Sequence, residues 1–223
     1  MEVRRSELQA SYIKLNGTIV AETPLHLGDG THLGIVKQTK AFIEGSVIRG
    51  AVGISLLRTS CLKPEFQQKH EECPAKEDCL YPQLFEEEGK KSANIVFRNA
   101  YPRHAGCVNH GIYLPTAQTL YVCEKCEERF SSYTPPLTCP KCGRPLKSYE
   151  GYICTGCQHL TRSPVSIIRM TATAIDRYKQ SAAIIKPLGE GEEGYGTMHS
   201  IDLIPRETKY QLEVIVDPEV ENG

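Results

Sequence analysis

Apolar and polar positions begin to alternate early in the chain. Tyr12–Ala21 (YIKLNGTIVA) sets Tyr12, Ile13, Leu15, Ile19 and Val20 among polar neighbours, which predicts a β-strand. Thr23–Gly34 (TPLHLGDGTHLG) is glycine-rich and reads as a loop, and Lys40–Gly45 (KAFIEG) is a short apolar approach to a turn. In Ser46–Ser60, apolar residues at 47, 48, 51, 52, 54, 56 and 57 fit a helix, with Ser46 placed as its N-cap. Gly50 and Gly53 lower its helix propensity by about 1 kcal/mol each relative to alanine. Glycines kept there imply close packing against that face.

Further along, Ser92–Tyr101 (SANIVFRNAY) predicts a strand, and Gly111–Leu120 predicts extended chain with a proline. Pro164–Arg177 (PVSIIRMTATAIDR) is extended and β-prone, and Lys186–Tyr195 is a glycine- and glutamate-rich loop. Gly196–Ile204 and Lys209–Val216 are two last strands joined by a turn at Pro205. Strands at both ends, one early helix and long insertions suggest an α+β sheet domain carrying an insert. No internal repeat or low-complexity segment interrupts the pattern.

Composition narrows this little. The 223 residues are 40% hydrophobic and 24% charged, as in a globular protein. No apolar run approaches the roughly 18 residues of a membrane span. A net charge of −1 confines any nucleic-acid surface to a local patch. The first residues, MEVRRSELQASYIKLNG, contain no apolar core of the kind a secretory leader needs. The expectation is a cytoplasmic protein whose thiols stay reduced.

The cysteines change the picture most. Of ten, six form C-x-x-C pairs: Cys123/Cys126, Cys139/Cys142 and Cys154/Cys157. Two cysteines three apart sit on one tight knuckle with both sulfurs inward, and two knuckles make a tetrahedral Zn²⁺ cage. In a reducing compartment, thiolate–metal sites are favoured over cystines. Cys61, His70, Cys73 and Cys79 form a fourth group, C-x8-H-x2-C-x5-C, in a stretch poor in apolar residues. Structural zinc contributes about 10–16 kcal/mol to the folding of small finger peptides, so it could replace a core there.

The segment Cys139–Cys157 (CPKCGRPLKSYEGYICTGC) looks like a zinc ribbon, which would leave Cys107, His110, Cys123 and Cys126 as a third set. Joining Cys123/Cys126 to Cys139/Cys142 across 12 residues is almost as good, and spacing alone does not choose. Cages built of cysteine are closed, so the zinc is read as structural rather than catalytic.

The junction FIEGSVIRGA (Phe42–Ala51) carries a different chemistry. Gly45 permits close backbone approach, Ser46 offers a hydroxyl and Arg49 a guanidinium near free helix N–H groups, a set that suits a phosphate. An ordinary capped helix with a surface arginine is the competing reading.

At this junction the chain resembles the RAMP superfamily of CRISPR-associated proteins. The family's "IPGSSLRGALR"-type signature stands here as FIEGSVIRGAVG, with Glu44 in place of the proline. Leu84–Phe85 is similar to its "LFG" turn, NIVFRNAYP (Asn94–Pro102) to the strand that follows, and YLPTAQT (Tyr113–Thr119) to a segment of subtype III-D members. TATAIDRYKQSAA (Thr171–Ala183) resembles the "AIDR–TGTA" segment, and MHSIDLIPRETKYQLEVIV (Met198–Val216) the closing strand pair. The order of these segments, covering nearly the whole chain, carries the resemblance.

The resemblance implies a ferredoxin-like (RRM-like) RAMP domain over 1–223, with zinc-binding insertions at 61–79 and 107–160. It implies a CRISPR RNA-binding subunit of a type III effector complex that works with other subunits and a target RNA. Gly45, Ser46 and Arg49 would approach the guide backbone, and Ile175, Asp176 and Arg177 would belong to a β-hairpin thumb. Backbone subunits of this family can cut target RNA through a loop aspartate after the first strand, a position matched here by Asp29. Since Asp-Gly is a common turn pair, a non-catalytic RNA-binding subunit is the preferred reading. A Cas6-type endoribonuclease, with His26 or His32 as general base, and a zinc-ribbon adaptor that binds only protein are the alternatives.

Overall fold

The computed structural model describes residues 12–33, 36–63, 72–75, 79–85, 95–173, 175–176, 181–182, 184–185, 195–196 and 198–216. Strands dominate, with two α-helices among the described residues. The chain divides into two compact units. One comprises Met1–Ile19, Ile43–Ala100 and Gln211–Gly223, and the other Val20–Phe42 and Tyr101–Tyr210.

The first unit joins a sheet to helices. Strands β1 (Ile13–Val20), β18 (Lys209–Val216) and β4 (Ile95–Phe97) lie in the order β1-β18-β4. The β18–β4 pair is antiparallel, with Val214 opposite Phe97 and Ile215 opposite Val96. Alternation sends Leu212 and Val214 to the face where Leu212 meets Gly17. Glu213 points to the other face and pairs with Lys14 and with Arg98, the latter at 2.9 Å. The Lys14 ammonium, then the Arg98 guanidinium, hold the Glu213 carboxyl below its usual range.

Helix α1 (Gly45–Ser60) begins one residue earlier than predicted. Its N-cap is Glu44, not Ser46, and no side-chain cap bond forms there. The Gly45 N–H instead donates to Asn99 Oδ1 at 2.9 Å. An acceptor from the strand side, distant in sequence, thus replaces a local hydroxyl cap. The second helix, α2 (Leu80–Phe85), was not expected from the sequence. It stacks Tyr81 on Phe85, and Phe85 on Phe97, at ring centroids of 5.1 and 6.2 Å. Gly53 faces this aromatic wall, where an added Cβ would stand 3.4 Å from Tyr81. Close packing against a helical glycine therefore holds at Gly53, whereas Gly50 faces open space.

The second unit is built from small sheets. Strands β12 (Ile168–Thr173), β17 (Met198–Leu203), β3 (Val36–Thr39) and β2 (Gly28–Leu33) lie in that order. The segment predicted as a glycine-rich loop thus contains a strand, paired antiparallel to β3 with a register shift between Gly28 and His32. Pairing with β3 supplies bonds that the glycines' low strand propensity does not foretell. Strand β17 runs parallel to β3 and antiparallel to β12. Arg169 and Asp202, partners across β12 and β17, close a two-point ion pair at 2.7 and 3.1 Å.

Strand β5 (Tyr101–Pro102) pairs with β18. Strands β11 (Leu160–Thr161), β10 (Tyr152–Cys154) and β6 (Tyr113–Pro115) form one three-stranded sheet. Strands β8 (Arg129–Ser131), β7 (Leu120–Val122) and β9 (Lys147–Ser148) form another. Two short antiparallel pairs complete the set: β13 (Ile175–Asp176) with β14 (Ser181–Ala182), and β15 (Ile184–Ile185) with β16 (Tyr195–Gly196). Ile204 and Tyr210 are fully buried, and burial of an apolar side chain such as Ile204 is worth about 1.5–3 kcal/mol. No helix among the described residues is long and apolar enough to cross a membrane.

Candidate metal centres

The backbone of each C-x-x-C pair folds the same way. The N–H groups of Glu127, Gly143 and Gln158 return to the carbonyls of Cys123, Cys139 and Cys154 at 2.8, 2.8 and 2.9 Å. In turn the N–H groups of those cysteines reach the carbonyls of Glu128, Arg144 and His159. The fourth residue after each first cysteine takes a left-handed φ, at 57°, 70° and 61°. This reversal aims both sulfurs of a knuckle to one side.

Two of the knuckles close on each other. Cys123, Cys126, Cys139 and Cys142 bring their sulfurs together, with contacts of 3.3, 3.4, 3.4 and 3.5 Å. A tetrahedral Zn²⁺ with Zn–S of about 2.3 Å requires sulfurs about 3.8 Å apart. The four thiols fit that cage with only slight expansion. Cys123 and Cys139 are almost fully buried. The N–H groups of Cys126 and Lys125 bring the Cys123 thiol down to about 6, whereas Cys126, donating to Cys123, is pushed up to about 12. Neighbouring sulfurs therefore share protons that a metal would displace.

The third knuckle finds a different partner. Cys154 and Cys157 gather with Cys107 and His104, all ligand atoms lying within 4.8 Å of one another. His104 Nδ1 stands 3.4 Å from Cys157 Sγ. The His104 ring packs on Tyr113 at 4.7 Å, and the Tyr113 hydroxyl meets His159 Nδ1 at 3.0 Å. Burial, followed by the neighbouring cysteines, raises the Tyr113 hydroxyl above its ordinary value. Three thiolates and one imidazole are an established zinc donor set.

This second centre depends on two glycines. A Cβ on Gly111 would meet Cys154 Sγ and the Gly156 nitrogen at 2.5 Å. A Cβ on Gly156 would meet Cys107 Sγ at 2.7 Å. Strand pairing sets this contact, because β6 and β10 place Tyr113 opposite Cys154.

The ligand sets thus differ from those expected. Cys139/Cys142 do not form a ribbon with Cys154/Cys157, and Cys123/Cys126 take the alternative pairing. His110 belongs to neither group, and His104 stands in its place. The H-x-x-C spacing of His104 and Cys107 was the available signal, since it matches the cysteine knuckles. Among the described residues no third group of this kind is found, although Cys61, Cys73 and Cys79 are present there. His70 lies outside the described residues.

The residues expected near RNA are placed as follows. Gly45 is buried, and its missing Cβ would stand 2.1 Å from the Phe97 carbonyl oxygen. The N–H groups of Val47 and Ile48 bond to Glu44 O, so the first turn is less open to a phosphate than the sequence suggested. Ser46 is exposed. Arg49 donates from Nη2 to Phe85 O at 2.8 Å and lies over the Phe85 ring at 5.5 Å. Asp29 lies on β2, and Ile175 and Asp176 on β13. Arg177 lies outside the described residues.

Comparison with known proteins returns distant likenesses. A family model described as an N-terminal domain, AF_1859_N, matches residues 39–104. No curated protein matches the chain. A chain from the cryo-EM structure of the type III-B Cmr-beta in the apo state is similar at 14% identity and a TM-score of 0.45, over 91% of this chain and 84% of that one. A chain from type III-B Cmr-beta bound to cognate target RNA is similar at 12% identity and a TM-score of 0.46, over 92% and 84%.

Proposed function

We propose that this chain is a CRISPR RNA-binding RAMP subunit of a type III effector complex, with a ferredoxin-like domain and structural zinc in its knuckle region. One observation carries the reading. Two of the family-like segments, FIEGSVIRGA and NIVFRNAYP, interlock in space. Ile43 and Ala100 exchange backbone bonds at 3.0 and 2.8 Å, and Gly45 bonds to Asn99 with its Cα against Phe97. Segments that resemble one family and also fit each other atom to atom read as one motif.

In this reading Ser46 and the remaining N–H groups of Arg49 stay available to a guide phosphate, and Lys14 and Arg98, which share Glu213 as ion-pair partner, leave a single net positive charge on their sheet face. Gly45 serves by letting α1 approach the strand. Ile175 and Asp176 sit on one arm of an antiparallel pair, as a thumb hairpin requires. Asp29 is a scaffold residue here, and any guide-directed cutting would be tested in the reconstituted complex.

The test is binding of a repeat-derived CRISPR RNA as salt is varied. Binding should weaken with salt, and Arg49→Ala should reduce the log–log slope by roughly 0.7–0.9, the loss of one phosphate contact. Loss of the bond to Phe85 should also lower stability by about 1 kcal/mol, read separately by melting. No RNA association at low salt would sink the reading in favour of a protein-binding adaptor. RNA recovered cut at one site would point to the processing endoribonuclease.

A further inference from the structure

The free backbone groups of a sheet edge are a template for another chain. Strand β12 ends the sheet β12-β17-β3-β2, and among the described residues no strand pairs with its outer edge. The opposite end of the sheet is blunted, because β2 carries a register shift between Gly28 and His32. β12 has none of the usual protections. It runs six residues, Ile168–Thr173, in continuous register with β17, and holds no proline, lysine or bulge.

All six residues are exposed. Alternation divides them between two faces. Arg169, Thr171 and Thr173 share one, and the first two are already satisfied within the sheet. Arg169 closes on Asp202, and the Thr171 hydroxyl meets Ser200 Oγ at 2.8 Å. Ile168, Met170 and Ala172 share the other face. Ile168 is 50% exposed and Met170 52%, beside the half-buried Leu203 and Ile201 of β17. An open edge therefore borders an apolar row, and its single charge is compensated.

We propose that β12 is an interface with a second copy of this chain, paired antiparallel across a two-fold axis at Met170, so that two sheets join into one. The register follows from the residues. An axis at Met170 sets Met170 against its own copy, Ile168 against Ala172 and Arg169 against Thr171. Every pair on the apolar face is then apolar, and no like charges meet. A slip by one residue would set the apolar row against the polar one. An axis at Arg169 would oppose two guanidinium groups, and one at Thr171 would leave Ile168 beyond the end of the facing strand. A charged partner such as RNA gains little here, since Arg169 is held by Asp202. A self-complementary patch of this kind is what a two-fold dimer requires. Two six-residue strands are small beside the roughly 1,200–2,000 Å² of a tight complex, so the dimer is reversible and grows with concentration. It uses none of Gly45, Ser46 or Arg49 and needs no RNA.

Sedimentation velocity of the nuclease-treated full chain, from about 5 to about 300 µM, tests the dimer. The average mass should rise from one chain toward two. Met170→Lys and Met170→Glu each set like charges opposite one another and should weaken association by about tenfold or more. Mixed in equal parts, the two variants should associate again, since a lysine then faces a glutamate. Both changes fall at an exposed position, and melting checks that the fold survives. Ala172→Lys, which would face Ile168 of the second copy, should weaken the dimer likewise and stands in if the Met170 variants melt early. A wild-type chain that stays monomeric throughout, a dimer that both Met170 variants keep, or variants that stay apart when mixed would overturn the proposal.

Discussion

The two metal centres use the same knuckle but are assembled differently. The centre of Cys123, Cys126, Cys139 and Cys142 is nearly local: its two knuckles are 12 residues apart in sequence and are brought together by β7 and β9. Ion pairs Lys141–Glu128 and Lys147–Glu124, at 2.7 and 2.8 Å, tie one knuckle to the other from outside. The centre of His104, Cys107, Cys154 and Cys157 has 46 residues between its inner ligands and one exposed thiol, Cys157. It relies on two glycine backbones in contact. A centre made of neighbouring knuckles tolerates change around it, whereas one made by distant strands depends on each residue that lets them approach.

Removing a ligand should have the largest effect, and it should separate the two centres. Protein purified without added metal should carry at least two zinc ions per chain by elemental analysis. Cys123→Ser should lose one ion and His104→Ala the other, each destabilising the knuckle region by several kcal/mol, given zinc's contribution of about 10–16 kcal/mol in finger peptides. His110→Ala should keep the full complement. Less than one ion per chain, or thiols recovered as disulfides, would refute both centres. Loss of metal in His110→Ala but not in His104→Ala would restore the ligand set first read from spacing.

A smaller effect should come from the glycine contact. Gly111→Ala should cost the mixed centre its ion or destabilise the fold by about 1–3 kcal/mol, the usual range for overpacking, with the four-cysteine centre still loaded. Gly143→Ala is the control, because its Cβ would meet nothing within 4 Å and only its φ of 70° is strained. It should cost about 1–2 kcal/mol and keep both ions. Equal metal loss in both variants, by native mass spectrometry, would mean that the mixed centre does not depend on close approach.

The smallest effect should be at the outer ion pairs. Glu128→Gln breaks the pair with Lys141, both partners being well exposed. It should change stability by no more than about 1 kcal/mol and leave zinc content unchanged. A shift well beyond that in denaturant unfolding would show that the pair holds the knuckles together.

The sequence by itself determined what depends on near neighbours. The C-x-x-C spacing identified three knuckles, since their reversal closes within five residues. Alternation located β1, β4, β17 and β18, and the helical period located α1, because burial of one face repeats at fixed intervals. Tertiary structure alone decided what depends on partners far along the chain. Pairing of β6 with β10 chose His104 over His110, and pairing of β7 with β9 joined Cys123/Cys126 to Cys139/Cys142. Asn99 took the capping role expected of Ser46, and β3 turned the glycine-rich segment at Gly28 into a strand. A cysteine pair fixes its own geometry, but which pair it faces is set by strand register, a long-range hydrogen-bond choice that no local spacing encodes.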